Sequence, residues 1–202
     1  MLERDKKESD LAALGVTEER AEGRRPPRAE SQKTGKAKPE VALLAKVQRT
    51  LKRPQTVKAA RGMSHFGEHA IGWIAAGLVG AAIDRKRRKD WLVAAGGVAA
   101  AHGASIAVKR VVRRPRPEHP DVEVLVGTPS RLSFPSSHAT STTAAAVLYS
   151  GLTGRNLVPA LVPPMLASRL VLGVHYPTDV LAGAALGGVV GGLLRRKIRK
   201  QG

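Results

Sequence analysis

A histidine and an aspartate four residues apart, His175 and Asp179, have the clearest chemical potential in this sequence. If the segment turns helically, the carboxylate can accept from one imidazole nitrogen and leave the other free to attack an electrophile. Pro177 is compatible with a helix that starts between them. Arg169, which follows Ser168 in the preceding apolar stretch, can reach the same anion with a bidentate fork. The spacing predicts a nucleophilic histidine directed at an anionic group.

Two cations lie in a second polar cluster, the segment K-R-V-V-R-R-P-R-P that begins at Lys109. A spacing of seven places Lys109 and Arg116 on one side of a helix, although Pro115 interrupts helical geometry. Both cations can then face one anion. The alternative interpretation is that these residues are only a run of basic side chains at the end of an apolar helix.

The third cluster, Pro135-Ser136-Ser137-His138, opens an apolar stretch. A serine in front of a helix can cap it, and the free backbone N–H groups of the first turn favour a phosphate. His138 then lies within that turn, where it can donate a proton to a leaving oxygen. A capped helix with a bystander histidine is the alternative.

Five apolar stretches must position these clusters. Charges gather at their ends, and Gly183, Gly187 and Gly191 recur at the four-residue spacing that favours close helix packing in lipid. Trp73 and Trp91 lie near stretch ends, where interfacial aromatic residues are common. We predict an all-α integral membrane bundle of about five transmembrane helices, with a soluble bundle as the alternative. The stretches are residues 69–83, 91–108, 138–153, 157–174 and 179–194.

The order of the stretches predicts that the clusters meet. Two helices separate the loops at 109–137 and 175–179, so both loops lie on one membrane face. Domain boundaries follow from composition: a disordered basic tail at 1–40, an amphipathic interfacial helix and linker at 41–62, a membrane domain at 63–196 that contains the three clusters, and a basic tail at 197–202. A short solvated helix is the alternative for residues 41–51.

Charge and composition restrict the partners. Lys and Arg number 34 against 16 Asp and Glu, a net charge of +18 that favours nucleic acid, anionic lipid or phosphorylated substrates. Aromatic residues are only 3%, which argues against base-stacking platforms, and the absence of cysteine excludes disulfides and thiolate-bound metals. We expect a lipid phosphate and membrane lipids as partners, and no nucleic acid.

Together the three clusters resemble the signature of the type 2 phosphatidic acid phosphatase family, which shares its site with vanadium haloperoxidases and bacterial acid phosphatases. That signature is K-x6-R-P, then P-S-G-H, then S-R-x5-H-x3-D, and every spacing matches here. Ser137 stands where the family usually has glycine, which would make the site slightly tighter. The resemblance covers roughly residues 60–194.

The resemblance implies a mechanism without metal or cofactor. His175 attacks phosphorus to form a phosphohistidine while Asp179 orients it, and His138 protonates the leaving alcohol and then activates water. The residues at the remaining matched positions bind the phosphate oxygens and stabilise their negative charge in the transition state. These are Lys109, Arg116, Ser136, the amide of Ser137, and Arg169.

Likeness to actinobacterial members, including the run M-S-H-F-G-E-H-A at 63–70, implies the substrate and location. We expect a multi-pass plasma-membrane enzyme that removes the phosphomonoester of decaprenylphosphoryl-5-phosphoribose during synthesis of cell-wall arabinan precursors. Polyprenyl diphosphate, phosphatidic acid and phosphatidylglycerophosphate are alternative substrates, and a catalytically silent membrane scaffold is the alternative of another class. His65 and His69 are interpreted as interfacial packing and not as a ligand pair.

Overall fold

The computed structural model describes residues 39–201, and the predicted disordered tail lies outside these residues except at 39 and 40. This part of the chain forms seven α-helices and, apart from an isolated bridge between Pro115 and Leu132, no β-structure. The last five helices occupy the five predicted apolar stretches. The helices are α1 Pro39–Leu51, α2 Pro54–Gly67, α3 Ile71–Ile83, α4 Arg88–Val112, α5 Ser137–Thr153, α6 Val158–Val171 and α7 Pro177–Gln201.

Three helical segments are long and apolar enough to cross a membrane: Pro54–Ile83, Arg85–Val112 and Pro177–Lys200. The other two helices of the predicted five, α5 and α6, are shorter, at 17 and 14 residues. Helix α5 has buried residues around its whole circumference, several of them Thr or Ser, because it is surrounded by other helices. A central helix needs no lipid-facing apolar surface, which explains its modest hydrophobicity. The molecule is a multi-pass membrane helical bundle.

Close packing between α5 and α7 depends on the predicted row of small residues. A Cβ on Gly187 would collide with the carbonyl oxygen of Thr140, and one on Gly191 would lie 3.2 Å from that of Ala144. Gly183 likewise faces the backbone of Ser136. The prediction of glycine-mediated helix contact is confirmed, and this contact holds the N-terminal ends of α5 and α7 together.

The two tryptophans pack against neighbouring helices, and their interfacial position stays a prediction. Trp73 Nε1 donates to Thr142 Oγ1 at 2.9 Å, which occupies its indole N–H inside the bundle. Trp91 is buried, with its ring centroid 5.3 Å from that of Tyr149. Each indole N–H therefore has a protein partner, which for Trp91 is Asp84 Oδ2 at 3.3 Å.

Residues 41–62 form two helices where the sequence predicts one helix and a linker. Pro54 begins α2 because its fixed φ suits the first helical position. Helix α1 is amphipathic, but Val41 and Leu44 pack against Val122 and other residues of the bundle. The segment predicted as the C-terminal tail also differs, because α7 continues through residue 201. The division into domains stays a prediction.

Candidate active site

The predicted site residues gather at one end of the bundle, where α4 and α6 end and α5 and α7 begin. A cavity of about 510 Å³ opens there. Two of the eight predicted residues, Ser136 and Asp179, are fully buried behind its wall. The other six line the cavity: Lys109, Arg116, Ser137, His138, Arg169 and His175.

The histidine–aspartate pair lies at the start of α7. His175 Nδ1 is 3.6 Å from Asp179 Oδ2, and the Tyr176 amide donates to the same oxygen at 2.8 Å. Burial lowers the pKa of His175 to about 3; Asp179 opposes that shift, and the nearby cations Arg116 and Lys109 reinforce it. His175 is therefore neutral at physiological pH, the state in which an imidazole nitrogen can attack.

Arg116 brings the first positive charge to His175. Its Nη1 lies 3.3 Å from His175 Nε2 and donates to the Val174 carbonyl at 2.6 Å, while Nε donates to Ser130 O at 2.8 Å. Burial lowers the pKa of Arg116 to about 10, with partial opposition from Asp179, so the guanidinium remains charged at neutral pH. These carbonyl contacts fix the side chain beside the nitrogen that would attack.

Lys109 and Arg169 supply two further buried charges. Lys109 Nζ donates to the carbonyls of Leu132, Ser133 and Pro135, the last at 2.6 Å. Arg169 is 1% exposed; its Nη1 donates to Ser64 Oγ at 3.2 Å, and its buried Nη2 finds no partner among the described residues. Buried polar atoms normally have partners, so a free guanidinium nitrogen beside the cavity indicates a place for an anion.

The segment 136–138 forms the capped helix start that the sequence predicts. Ser136 Oγ accepts from the Ala139 amide at 3.4 Å, so it caps α5 and does not itself line the cavity. Ser137 Oγ accepts from Ser105 Oγ at 2.8 Å, which directs the hydroxyl toward α4. His138, the second residue of α5, has its Nε2 3.0 Å from the Ser64 carbonyl. The side chain of Ser137 is thus accommodated at the position where the family signature has glycine.

Arg114 and Glu40 contact the predicted site, although no motif in the sequence singles them out. Arg114 Nη1 donates to Asp179 Oδ1 at 3.0 Å and to Thr178 Oγ1 at 2.7 Å, and Nη2 pairs with Glu40 of α1. Burial raises the pKa of Glu40, but hydrogen bonds from Thr178 and Arg114 outweigh it and leave that pKa lowered. Helix α1 therefore holds, through Arg114, the carboxylate that faces His175.

The run 63–70 forms a wall of the cavity, which differs from the predicted interfacial packing. Ser64 contacts both His138 and Arg169, and His65 and His69 line the cavity. Gly67 leaves room for the His138 ring, since a Cβ there would lie 2.8 Å from Cδ2. Within residues 39–201, no group of three or more His, Asp or Glu side chains is placed to share a metal ion.

Comparison with known proteins agrees with this architecture. The family model described as PAP2 superfamily matches residues 90–202. A decaprenylphosphoryl-5-phosphoribose phosphatase of Mycobacterium tuberculosis is 52% identical over 169 residues, which cover 80% of this chain and 96% of that protein. The protein of the same name from Mycolicibacterium smegmatis is 57% identical over 145 residues, covering 71% of this chain and 81% of its own length.

A crystal structure of a transmembrane PAP2-type phosphatidylglycerolphosphate phosphatase from Bacillus subtilis superimposes with a TM-score of 0.66. It is 23% identical and covers 78% of this chain and 84% of its own, so it supports the fold alone. The family model, the relatives and the fold agree: the chain belongs to the PAP2 superfamily and is a membrane-embedded phosphatase.

Proposed function

We propose that this phosphatase hydrolyses the phosphomonoester of decaprenylphosphoryl-5-phosphoribose in the plasma membrane, through a phosphohistidine at His175. One observation carries the reaction: a buried imidazole lies beside a carboxylate and within reach of converging cations. The substrate is supported by relatives of that name, which are 52–57% identical to this chain.

The first half-reaction transfers the phosphoryl group to the protein. Lys109, Arg116 and Arg169 bind the phosphate oxygens and oppose the negative charge in the transition state, a role that in other phosphatases falls to a metal. His175 Nε2 attacks phosphorus as the bond to the sugar oxygen breaks. Asp179, near Nδ1, stabilises the cationic imidazole that results.

His138 serves the proton transfers of both half-reactions. Its Nε2 carries the hydrogen bonded to the Ser64 carbonyl, so the ring acts as the acid when Nδ1 is protonated as well, and Nδ1 gives that second proton to the leaving alkoxide. The neutral ring then accepts a proton from the water that attacks phosphohistidine. Inorganic phosphate and free His175 are regenerated. Ser136 acts here as the helix cap, and the Ser137 amide adds a hydrogen bond to a phosphate oxygen.

Phosphate release by the purified full chain in nanodiscs tests this proposal. The panel contains decaprenylphosphoryl-5-phosphoribose, polyprenyl diphosphate, phosphatidic acid and phosphatidylglycerophosphate. We expect the first to have the highest kcat/KM, and His175→Ala to lose nearly all activity whether or not divalent metal is added. The matched control is His119→Ala, a histidine outside the cavity that contacts Asp121.

Two results would contradict the proposal in different ways. Substantial turnover by His175→Ala would refute the phosphohistidine mechanism. A wild-type chain that releases no more phosphate than His175→Ala from any lipid would indicate the silent scaffold. An acid-labile phosphoenzyme trapped by rapid quenching of wild type, and missing from His175→Ala, would support the covalent intermediate.

A further inference from the structure

The cavity is larger than one phosphate group requires. At about 510 Å³ it has the size of a site for a whole small ligand. Beyond the catalytic residues and the loop at 126–132, its wall includes His65, Glu68 and His69 before α3 and His102 and Ile106 on α4. The proposed reaction uses none of these five side chains, so the space beside them is available to another part of the substrate.

Four cavity-lining residues form a stripe along α4. His102, Ile106, Lys109 and Arg110 are spaced by four, three and one residues, which places them on one face of the helix. Seven residues separate Lys109 from His102, a rise of roughly 10 Å along the helix axis. A ligand whose phosphate contacts Lys109 has room to extend along α4 past Ile106 toward His102.

Two imidazoles face each other at the far end of this stripe. The ring centroids of His69 and His102 are 6.3 Å apart and the rings are tilted by 52°. This separation allows oxygens of one phosphate to accept from both rings. His102 Nδ1 is buried and has no hydrogen-bond partner in the part of the chain that the structure describes. Since Nδ1 has no acceptor among these residues, the ring proton can reside on Nε2 and be donated to an acceptor on a ligand.

The charge around the cavity points to a second anion. A phosphomonoester carries at most about two negative charges, and Lys109, Arg116 and Arg169 already exceed that. Arg110 adds a fourth cation to the lining. Glu68 is the single carboxylate among the described lining residues, and it lies 3.8 Å from His65. The surplus positive charge favours a ligand with two separated phosphates.

We infer that His69 and His102 form a subsite for the second phosphate of the substrate, the diester phosphate that joins the sugar to the lipid. This inference rests on the proposed function, since the substrate named there has one phosphate on each side of a ribose. The monoester binds beside His175, the sugar lies against Ile106, and the diester oxygens accept from the two imidazoles. The subsite selects sugar-linked lipids over lipids that carry a single phosphate.

Ligand binding in the His175→Ala background tests the subsite without turnover. The two ligands are farnesylphosphoryl-ribose 5-phosphate and farnesyl phosphate, which share a prenyl chain and differ in the bridging sugar phosphate. Affinities are measured in nanodiscs for the full chain and for added His69→Ala, His102→Ala or, as the matched control, His119→Ala. The readout is the preference, the Kd of farnesyl phosphate divided by that of the two-phosphate ligand.

We expect each of His69→Ala and His102→Ala to reduce this preference about tenfold, since one hydrogen bond to a charged group is lost. The preference of His119→Ala should equal that of the parent. An unchanged preference, or equal weakening of both ligands, would overturn the subsite. Failure of the proposed function is seen separately, as a lack of phosphate release from chains that keep His175, and it does not alter the preference measured here.

Discussion

Removing Arg114 tests whether α1 acts on the chemistry through Asp179. Arg114→Ala deletes the guanidinium that donates to Asp179 Oδ1 at 3.0 Å. Asp179 is fully buried, so water does not readily replace this donor. A hydrogen bond to a charged group contributes about 1.5–3 kcal/mol. If the whole free energy of this hydrogen bond serves to orient the carboxylate toward His175, its loss slows the phosphorylation step by roughly 10- to 150-fold.

The assay is steady-state phosphate release with rapid-quench measurement of the phosphoenzyme. Arg114 does not line the cavity, so we expect kcat to fall while KM changes little. Arg114→Lys should recover part of kcat, because lysine keeps the charge but cannot bridge Glu40 and Asp179. Arg131→Ala, an exposed arginine of the same loop, is the matched control. A kcat within threefold of wild type for Arg114→Ala would refute the reasoning, as would an equal loss in Arg131→Ala.

Three further outcomes follow from the geometry. Because burial lowers the pKa of His175 to about 3, this group stays neutral from pH 8 down to pH 5. The acid limb of kcat/KM should therefore follow the second pKa of the substrate phosphate, near 6, and shift when the substrate changes. Ser137→Gly loses the contact with Ser105, about 1 kcal/mol of stability, and should keep phosphate release within a fewfold of wild type. Gly187→Val should destabilise the bundle by about 1–3 kcal/mol, seen as a lower Tm in detergent, because its side chain meets the Thr140 carbonyl.

Each of these expectations has a contradicting result. If the fall of kcat/KM at low pH occurs at the same pH for substrates whose phosphate pKa values differ, the ionising group belongs to the protein and not to the substrate. A large loss of kcat in Ser137→Gly would show that the hydroxyl takes part in the reaction. For Gly187→Val the control is Gly192→Val on the same helix, where a Cβ meets nothing within 4 Å, and equal Tm values would refute the packing argument.

Two contacts among the proposed site residues were predictable because they are local. His175 and Asp179 are four residues apart, and Ser136 directly precedes the helix that it caps. Those spacings follow from helix geometry and are visible in any single sequence. Glycine spacing likewise predicted the contact between α5 and α7, since period four marks one face of a helix.

Contacts across the chain were not predictable in the same way. Ser64 reaches Arg169 over 105 residues, and no local pattern relates the two. Pro54 is compatible both with a helix break and with the first residue of a new helix. In the structure it begins α2, which packs against α6. His69 has φ 49°, a left-handed conformation that amphipathic patterns do not anticipate, and its place on the cavity wall depends on that turn.

The bridge from Glu40 through Arg114 to Asp179 joins the first and the last helix of the described region. Glu40 and Thr178 are 138 residues apart, so their contact closes only after the final helix has been inserted and α1 has docked. A chain shortened at either end of the described region, through the loss of α1 or of α7, would therefore lose one partner of this bridge.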